Sequence, residues 1–395
     1  MQSAPRAWTR REFLSNGARA AVVGAVAPAA FVRTATARTD SLHAFLVRKL
    51  AEVGTPGIAV AVVRGDAIVY AAGVGWADRE RGLRVTPETA FQLASVSKTV
   101  TCAGVMALVE DGRLDLDANI DEYLSFEVHV PAAPATPVTM RQLLTHTSAI
   151  RDRNVWGTPW TKPTLYFHGD SPISLERFCR SYYQPGRKRY RDRNFYERAP
   201  GAAYSYSNLA VALAGLVAQS VSQVDFDEWC IRRILAPLGM MNSGYRLADV
   251  GSSDVAMPYQ WSRRGLDPIY QYGYPDYPDG ALRTSAVHLA RWLGAFMNKG
   301  EFQGARVLDT DTVKEIRRKQ LHGIVPWHQG LIWYTEQRWG FPAMGHTGGD
   351  FGESTRMFFR PDKRVGVVSL TNSYTGGRRW KAFSEIERRL FAEFS

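Results

Sequence analysis

Ser95 and Lys98 combine a possible nucleophile with an amine one helical turn away. They lie in the run FQLASVSKTVTCAG, which opens an apolar stretch. Residues three apart on a helix share one face, so the hydroxyl and the amine would meet there. In the first turn they would also face free backbone N–H groups and the positive end of the helix dipole. This arrangement suits an activated serine, although Ser is equally a favoured helix N-cap without any chemistry.

The serine needs a base, and Tyr206 in PGAAYSYSNLA is the candidate partner of the amine. Lysine and tyrosine have unperturbed pKa values near ~10.4 and ~10, about three units from a base that works at pH 7. We expect the helix N-terminus to lower the pKa of the Lys98 amine, and the amine to favour the Tyr206 phenolate. The two groups can then share a proton, so the pair is a convincing base for Ser95 where neither residue alone is.

The rest of the pattern indicates the elements that hold these residues. Two Val- and Ile-rich runs around Gly65 and Asp66 are typical of a strand hairpin. Helix, loop and aromatic-rich patterns follow, and strand patterns with short loops return before a final helix, which favours antiparallel pairing. The order predicts an α+β fold with one antiparallel sheet flanked by terminal helices. The sheet subdomain would hold residues 38–114 and 271–395, and a mostly helical insertion would hold residues 115–270.

With three motifs in this order, Ser95-x-x-Lys98, Tyr206-x-Asn208 and His346-Thr347-Gly348 (HTG), the sequence resembles the penicillin-recognising serine hydrolases. The likeness is greatest to the branch that holds class C β-lactamases, DD-peptidases and β-lactamase-related esterases and amidases. Further runs that carry it are LLTHTSAI, LAPLGMMNSGY, GALRTSAVHLARWL and GVVSLTNS. The resemblance implies a β-lactamase/DD-peptidase-like fold for residues 38–395 and hydrolysis of an ester or amide, possibly in a D-amino-acid peptide, through a Ser95 acyl-enzyme.

The resemblance also implies a role for each candidate residue. Tyr206 would take the proton of Ser95 and return it to the leaving group. The backbone N–H groups of Ser95 and Gly349 would form the oxyanion hole. A substrate could pair along the HTG strand, where Gly348 would let its backbone approach closely. The substrate-binding residues implied in this way are Asn208, His346, Thr347 and Gly348.

One position departs from the class C pattern, because His346 stands where Lys is usual in Lys-Thr-Gly. An imidazole is only partly charged near neutral pH, so the fixed cation that meets a β-lactam carboxylate is missing. We therefore expect an esterase, amidase or DD-peptidase more than an efficient class C-like β-lactamase. A further alternative is a catalytically silent protein that binds peptidoglycan fragments or partner proteins. All the expected catalytic positions are filled, which argues against it.

Composition and charge limit the partners. The net charge is +11, and residues 1–37 hold five Arg and one Glu, which leaves +7 for the remainder. A basic run, GRKRYRDRNFYER at 186–198, is more simply a solvated loop or the rim of an anionic-substrate site than a nucleic-acid site. The three cysteines have no metal-ligand spacing and are expected to be buried thiols. We expect no metal, no cofactor and no nucleic acid, and a small-molecule or peptide substrate.

Residues 1–37 are predicted to be a twin-arginine export signal. Arg10 and Arg11 precede Phe13 and Leu14, an apolar run too short to span a bilayer follows, and ATA at 35–37 offers a cleavage site. Such a signal is read by the Tat export machinery and delivers folded cargo. No Cys lies near the cleavage site, so the sequence does not support a lipid anchor. The mature protein is therefore expected to be periplasmic or secreted, without a stable membrane anchor.

Two other groups of residues are given structural interpretations. His146 and Ser148 in LLTHTSAI suggest a Ser–His pair, but we expect them to shape the end of a helix. An aromatic cluster after this run is predicted to contribute an acyl-pocket lid in part and ordinary packing for the rest. Its members are Trp156, Trp160, Tyr166 and Phe167.

Overall fold

The computed structural model describes residues 35–153, 165–251, 255–263 and 265–395. The chain divides into two compact units, residues 1–44 and 45–395. The described part of the first unit is the start of helix α1 (Ala35–Val53), and the elements after that helix belong to the second unit. The predicted export signal lies outside the described residues as far as residue 34. Its expected cleavage site, residues 35–37, begins helix α1.

An antiparallel sheet forms the centre of the second unit. In chain order, the strands of the described residues are β1 (Gly57–Arg64), β2 (Ala67–Asp78), β3 (Leu83–Arg84), β4 (Ala90–Gln92), β5 (Phe167–His168), β6 (Tyr259–Ser262), β7 (Gly265–Pro268), β8 (Tyr272–Gly273), β9 (Arg283–Ser285), β10 (Glu301–Phe302), β11 (Ala305–Arg306), β12 (His328–Gln329), β13 (Tyr334–Arg338), β14 (Phe341–Asp350), β15 (Glu353–Arg360) and β16 (Val365–Thr371). Eight of them form one sheet in the order β12-β13-β14-β15-β16-β1-β2-β3. The others pair two by two.

The sheet joins the two ends of the unit, because β1 pairs with β16 from Ile58 to Arg64. Both strands are rich in Val and are buried at nearly every position, as central strands covered on two faces require. Gly65, with a φ of +58°, and Asp66 form the tight turn between β1 and β2. The predicted α+β fold with one antiparallel sheet is confirmed. The boundaries proposed for its subdomains stay a prediction.

Most of the helices lie in the sequence between the early strands and the late strands of this sheet. After α1, the helices of the described residues are α2 (Ser97–Glu110), α3 (Met140–Leu144), α4 (Leu175–Tyr183), α5 (Asn208–Ser222), α6 (Phe226–Cys230), α7 (Ala286–Met297), α8 (Thr310–Arg317) and α9 (Arg378–Phe394). Helices α2 and α5 pack against each other and are buried on nearly all sides. A helix that is apolar all round belongs in such a core.

Helices α7 and α9 cover opposite faces of the sheet. On one face, a Cβ at Gly366 of β16 would lie 2.6 Å from Leu293 of α7, so the glycine lets that helix approach closely. On the other face, Arg356 of β15 donates to Glu387 of α9 at 2.6 Å. Side chains alternate along a strand, so two faces and two helix layers follow. The C-terminal helix therefore flanks the sheet, as predicted.

Glu387 is the centre of a buried ion cluster between α9 and the sheet. Its carboxylate accepts from Arg356 at 2.6 Å and from Arg338 of β13 at 3.3 Å, and Glu387 is fully buried. Trp380 of α9 stacks on the Arg356 guanidinium with its centroid 4.0 Å away. Arginine suits this position because its planar guanidinium can bind a carboxylate and stack on an aromatic ring at the same time.

Two further predictions concern thiols and membranes. Cys102, Cys179 and Cys230 are all free and buried, as expected. Among the described helices, no single one is long and apolar enough to cross a bilayer. The helix pair Asn208–Ser222 and Phe226–Leu235, bent by 79°, reaches that length and hydropathy only when taken together.

Candidate active site

Ser95 lies in a 3₁₀ turn, Ala94–Val96, that runs directly into α2. The prediction placed it within the first turn of the helix, whereas α2 begins two residues later, at Ser97. Ala94 has a φ of +46°, which is uncommon for a residue with a side chain and marks strain beside the serine. Neither the turn nor α2 has a side-chain N-cap bond. The interpretation of Ser95 as a helix cap is therefore wrong.

Lys98 contacts the Ser95 hydroxyl directly. Its Nζ donates to Ser95 Oγ at 2.9 Å and to the Asp279 carbonyl oxygen at 2.6 Å. The side chain is fully buried. The contact of the amine with Ser95 is the one that the spacing predicted, and the chain segment before β9 holds the amine as well.

The pKa of Lys98 differs from the prediction. Burial on its own lowers the pKa of this ammonium, but Tyr206 and Asp279 act in the opposite direction, and the pKa is raised above its ordinary value. The expectation that the pKa of Lys98 is lowered is wrong, because the interactions of the amine with Tyr206 and Asp279 outweigh the effect of burial. Lys98 therefore keeps its proton. A charged ammonium that donates to Ser95 Oγ cannot also accept the hydroxyl proton.

Tyr206 lies beside Lys98, in the loop that leads into α5. The centroid of its ring is 5.2 Å from Lys98 Nζ and 6.4 Å from the centroid of the His346 ring. Tyr206 is 39% exposed, so one side of it faces solvent. Asn208 follows as the first residue of α5. The structure thus brings together the three motifs that lie far apart in the sequence.

Strand β14 supplies the opposite wall with residues 346–349. Along β14, pairing with β13 ends at Gly345, whereas pairing with β15 continues to Asp350. Among the described strands, none pairs with residues 346–350 on the β13 side. This stretch therefore has a backbone edge to which a substrate strand could be added.

Gly348 serves a contact within the protein that the sequence analysis did not predict. A Cβ at this position would lie 2.3 Å from the Leu93 carbonyl oxygen and 3.0 Å from the Ser95 nitrogen. Distances this short exclude any side chain. The glycine therefore lets β14 touch the turn that carries Ser95. Next to it, Tyr374 lies over Gly349, with ring atoms 3.1 Å and 3.5 Å from where a Cβ of Gly349 would be.

His346 is buried and neutral. Burial, followed by the nearby Lys98 charge, lowers the pKa of its imidazole to about 3. Its Nδ1 lies 2.6 Å from the Thr347 carbonyl oxygen, so Nδ1 carries the proton and Nε2 is an acceptor. Thr347 Oγ1 contacts the Tyr334 hydroxyl at 3.2 Å. The site therefore offers a neutral acceptor at residue 346 and not a cation.

His146 and Asp152 lie close to Tyr206 and its loop, which the sequence did not predict. The rings of His146 and Tyr206 have centroids 4.3 Å apart. Asp152 accepts hydrogen bonds from the first residues of α5. The structural interpretation of LLTHTSAI indicated a helix end and gave no sign that His146 would touch Tyr206. Asp152, just after that run, carried no signal of its own.

Some of the remaining candidates lie outside the described residues, and the others make contacts of their own. Trp156 and Trp160 fall in the first class. Tyr166 is buried among Tyr272, Tyr274 and Phe351, and its hydroxyl donates to Asp350 at 3.0 Å. In the basic run, Arg198 donates to Ser205 Oγ at 2.5 Å. Within the described part of the chain, no group of three His, Cys, Asp or Glu side chains could hold a metal ion.

Comparison with protein families agrees with this geometry. A family model described as "Beta-lactamase" matches residues 42–384. Penicillin-binding protein 4 of Amycolatopsis lactamdurans is 27% identical over 355 residues, which cover 86% of each chain. The D-alanyl-D-alanine-carboxypeptidase/endopeptidase AmpH of Escherichia coli K12 is 24% identical over 354 residues, 87% of this chain and 86% of the relative.

Solved structures give the same fold. The octameric penicillin-binding protein homologue from Pyrococcus abyssi superposes with a TM-score of 0.73 at 26% identity, over 89% of this chain and 77% of that one. The D-amino acid amidase from Ochrobactrum anthropi superposes with a TM-score of 0.71 at 18% identity, over 90% and 99% of the two chains. At that identity, the second likeness concerns the fold alone.

Proposed function

The chain belongs to the beta-lactamase family, whose members are serine hydrolases, and on this premise we propose that it cleaves an ester or amide bond through an acyl-enzyme on Ser95. The observation that carries the proposal is the contact of Lys98 Nζ with Ser95 Oγ at 2.9 Å, next to the Tyr206 ring. A buried amine held on a serine, with a phenol beside both, has the parts of an activated nucleophile.

The chemistry divides among these residues as follows. Ser95 Oγ attacks the carbonyl carbon while its proton passes to the Tyr206 phenolate. The charged Lys98 stabilises that phenolate and orients the serine. Backbone N–H groups of Ser95 and Gly349 bind the developing oxyanion. Tyr206 then gives the proton to the leaving oxygen or nitrogen as the bond to the carbonyl carbon breaks. Water later attacks the ester of Ser95 by the same route in reverse and frees the acid.

The substrate class we propose is a neutral ester or an amide, including one in a D-amino-acid peptide. The open edge of β14 supports it, because an extended peptide pairs with such an edge. The relative named as a D-alanyl-D-alanine-carboxypeptidase/endopeptidase supports it as well. A neutral His346 does not favour the carboxylate of a β-lactam, so efficient β-lactamase activity is the weaker candidate.

Labelling of Ser95 is the experiment that tests the proposal. The parent chain and Ser95→Ala would each be incubated with a fluorophosphonate probe and, separately, with a penicillin, and their intact masses measured. We expect one adduct in the parent and none in the variant. No adduct with either reagent would contradict the proposal and favour a binding protein without catalysis.

A substrate series then separates the possible reactions. We expect faster turnover of p-nitrophenyl esters, or of D-Ala-D-Ala peptides, than of nitrocefin. A nitrocefin rate far above the ester rate would instead support a class C-like β-lactamase. The same rates in Ser95→Ala as in the parent would exclude the Ser95 acyl-enzyme altogether.

We also propose that the protein works outside the cytoplasm after export by the twin-arginine route. The support is Arg10 and Arg11 ahead of an apolar run and a small-residue cleavage site. Replacing both arginines with lysine should leave the precursor in the cytoplasm when cells are fractionated. Unchanged export would contradict the route.

A further inference from the structure

The loop that carries Tyr206 is held by two residues from one short run, residues 146–152. Residues 205–209 donate to His146 and Asp152 through backbone amides and one hydroxyl. We propose that His146 and Asp152 form a clamp that fixes Tyr206 for proton transfer, His146 beneath the ring and Asp152 on the backbone just after it. The inference rests on the proposed function, because it assumes that Tyr206 is the base. Both are positioning residues.

Asp152 holds the start of α5. One carboxylate oxygen accepts from Ser207 Oγ at 2.7 Å and from the Leu209 amide at 3.2 Å, and the other accepts from the Asn208 amide at 2.8 Å. Free amides and the positive end of the dipole collect at the first turn of a helix, so a carboxylate binds well there. These bonds begin one residue after Tyr206 and fix where its backbone enters the helix.

His146 holds the loop from the other side. Its carbonyl oxygen accepts from the Ser205 amide at 2.8 Å, and its Nδ1 accepts from the Ser207 amide at 3.3 Å. The residue between these two donors is Tyr206. The His146 ring lies against the Tyr206 ring at an interplanar angle of 36°. A φ of +59° at His146 turns the carbonyl and the ring toward the same loop.

His146 is suited to this work because it stays neutral. Burial, together with the Lys98 charge, lowers the pKa of its imidazole well below the ordinary value. Since Nδ1 accepts from an amide, the ring proton lies on Nε2. A protonated ring would lose the acceptor for Ser207 and place a second cation near Lys98.

A clamp is needed here because Tyr206 belongs to no helix or strand and is partly open to solvent. Misplacing a reacting group by about 1 Å can cost on the order of 100-fold in rate. Without the hydrogen bonds on either side, the ring would sample positions away from Ser95 and Lys98.

Asp152 is tested by two variants and a matched control. Asp152→Ala removes all three hydrogen bonds, whereas Asp152→Asn keeps an oxygen that can accept two of them. Ser174→Ala is the control, because it removes a helix cap from α4. The Ser174 hydroxyl accepts from the Arg177 amide at 3.3 Å and is not bonded to the Tyr206 loop. Turnover of a p-nitrophenyl ester, the rate of fluorophosphonate labelling and the melting temperature would be measured for each.

We expect kcat to fall about 100-fold in Asp152→Ala and about 10-fold in Asp152→Asn, with KM changed less than about threefold. The labelling rate should fall in parallel with kcat. Ser174→Ala should lower the melting temperature but leave kcat unchanged. Below the melting temperature, a variant that is only less stable would keep both kcat and KM. A fall in kcat with little change in KM therefore identifies positioning.

His146 is tested by a second pair of variants. His146→Phe keeps a ring against Tyr206 but loses the acceptor, and His146→Ala loses both, while the backbone strain is the same in the two. We expect His146→Phe to retain about tenfold more activity than His146→Ala. Equal activities would contradict the role given to the ring.

The failures of the two proposals differ. If folded Asp152→Ala and Asp152→Asn label and turn over within about twofold of the parent, the clamp is wrong and the Ser95 mechanism stands. If the parent itself gives no adduct at Ser95, the proposed function is wrong and the clamp falls with it.

Discussion

Among single side chains, Lys98 has a different part from the one its position first indicates. An amine beside a serine is often taken as the base, yet here it donates to Ser95 Oγ and its pKa is raised. In the proposed mechanism it is therefore a fixed positive charge. Proton transfer is assigned to Tyr206, whose ring is close to the amine and partly exposed. The mechanism that we propose thus gives the cation and the phenol separate roles.

His346 sets the charge of the opposite wall, and replacing it should change which substrates are preferred. In His346→Lys, a cation would stand where a β-lactam carboxylate is expected, so the ratio of the nitrocefin rate to the p-nitrophenyl ester rate should rise about tenfold, as about 1.4 kcal/mol of added attraction would give. His346→Asn, which keeps a neutral polar group, is the control. An unchanged ratio in the lysine variant would mean that residue 346 does not contact that part of the substrate.

Spacing indicated only one contact of the site, that of Ser95 with Lys98, which are three residues apart. Tyr206, Asn208 and residues 346–349 were predicted from the order of the motifs and the family resemblance that it carries. The bonds of Asp152 to Ser207, Asn208 and Leu209 span 55 to 57 residues. No periodic pattern records such a contact. The direction of the Lys98 pKa was missed for the same reason, since Asp279 lies 181 residues away.

Among the elements, the contact between β14 and the Ser95 turn is the one on which the site depends. Gly348→Ala would place a methyl group 2.3 Å from the Leu93 carbonyl oxygen, so the strand or the turn must move. We expect a loss of about 100-fold in kcat and a cost of about 1–3 kcal/mol in the free energy of unfolding. Ester turnover and urea unfolding measure the two effects.

Gly376→Ala is the matched control for this prediction. A Cβ at Gly376 would meet only a side-chain atom of Tyr374, at 3.3 Å, and that exposed ring can move. We expect the free energy of unfolding to stay close to that of the parent. Because the Tyr374 ring also lies over Gly349, the stability, and not the activity, is the measurement to compare with Gly348→Ala. If Gly348→Ala behaved like this control, the turn and the strand would not be in the close contact described here.

The helices and strands that could be predicted are those whose own residues carry a clear pattern. The hairpin of β1 and β2 and the late strands carry enough Val, Ile and turn residues to be recognised, and the sheet followed from their order. The start of α2 was misplaced by two residues, because a 3₁₀ turn and an α-helix share the same side-chain pattern. The start of β13 at Tyr334, which leaves the β14 edge open beyond Gly345, depends on pairing and has no signal in either strand.

In the molecule as a whole, Glu387 ties the last helix to the sheet. Removing the carboxylate would leave the buried Arg356 guanidinium without an ionic partner and Arg338 with Glu336 alone, and breaking such a buried pair costs about 3–5 kcal/mol. We expect Glu387→Ala to lose that much in urea unfolding, while kcat per folded molecule stays the same. Glu301→Ala breaks an exposed ion pair with Arg306 and should cost less than about 1 kcal/mol. Equal losses would mean that the buried cluster adds no more than a surface pair.

The buried neutral His346 also makes stability depend on pH. The pKa of its imidazole is about 3 in the folded protein and about 6.5 in the unfolded chain, so the unfolded chain binds the proton first as pH falls. The contribution of this residue is fully present above about pH 6.5 and is lost below it at about 1.4 kcal/mol per pH unit. Burial raises the pKa of carboxyl groups such as Glu353, and these groups change the stability in the opposite direction as pH falls. The pH dependence of the whole protein's unfolding free energy therefore does not isolate His346.

The difference in unfolding free energy between the parent and His346→Asn removes that background. We expect this difference to shift in favour of the variant by about 1.4 kcal/mol per unit between pH 6 and pH 4.5. A difference that stays constant across that range would mean that the imidazole is protonated, and solvated, within the folded protein.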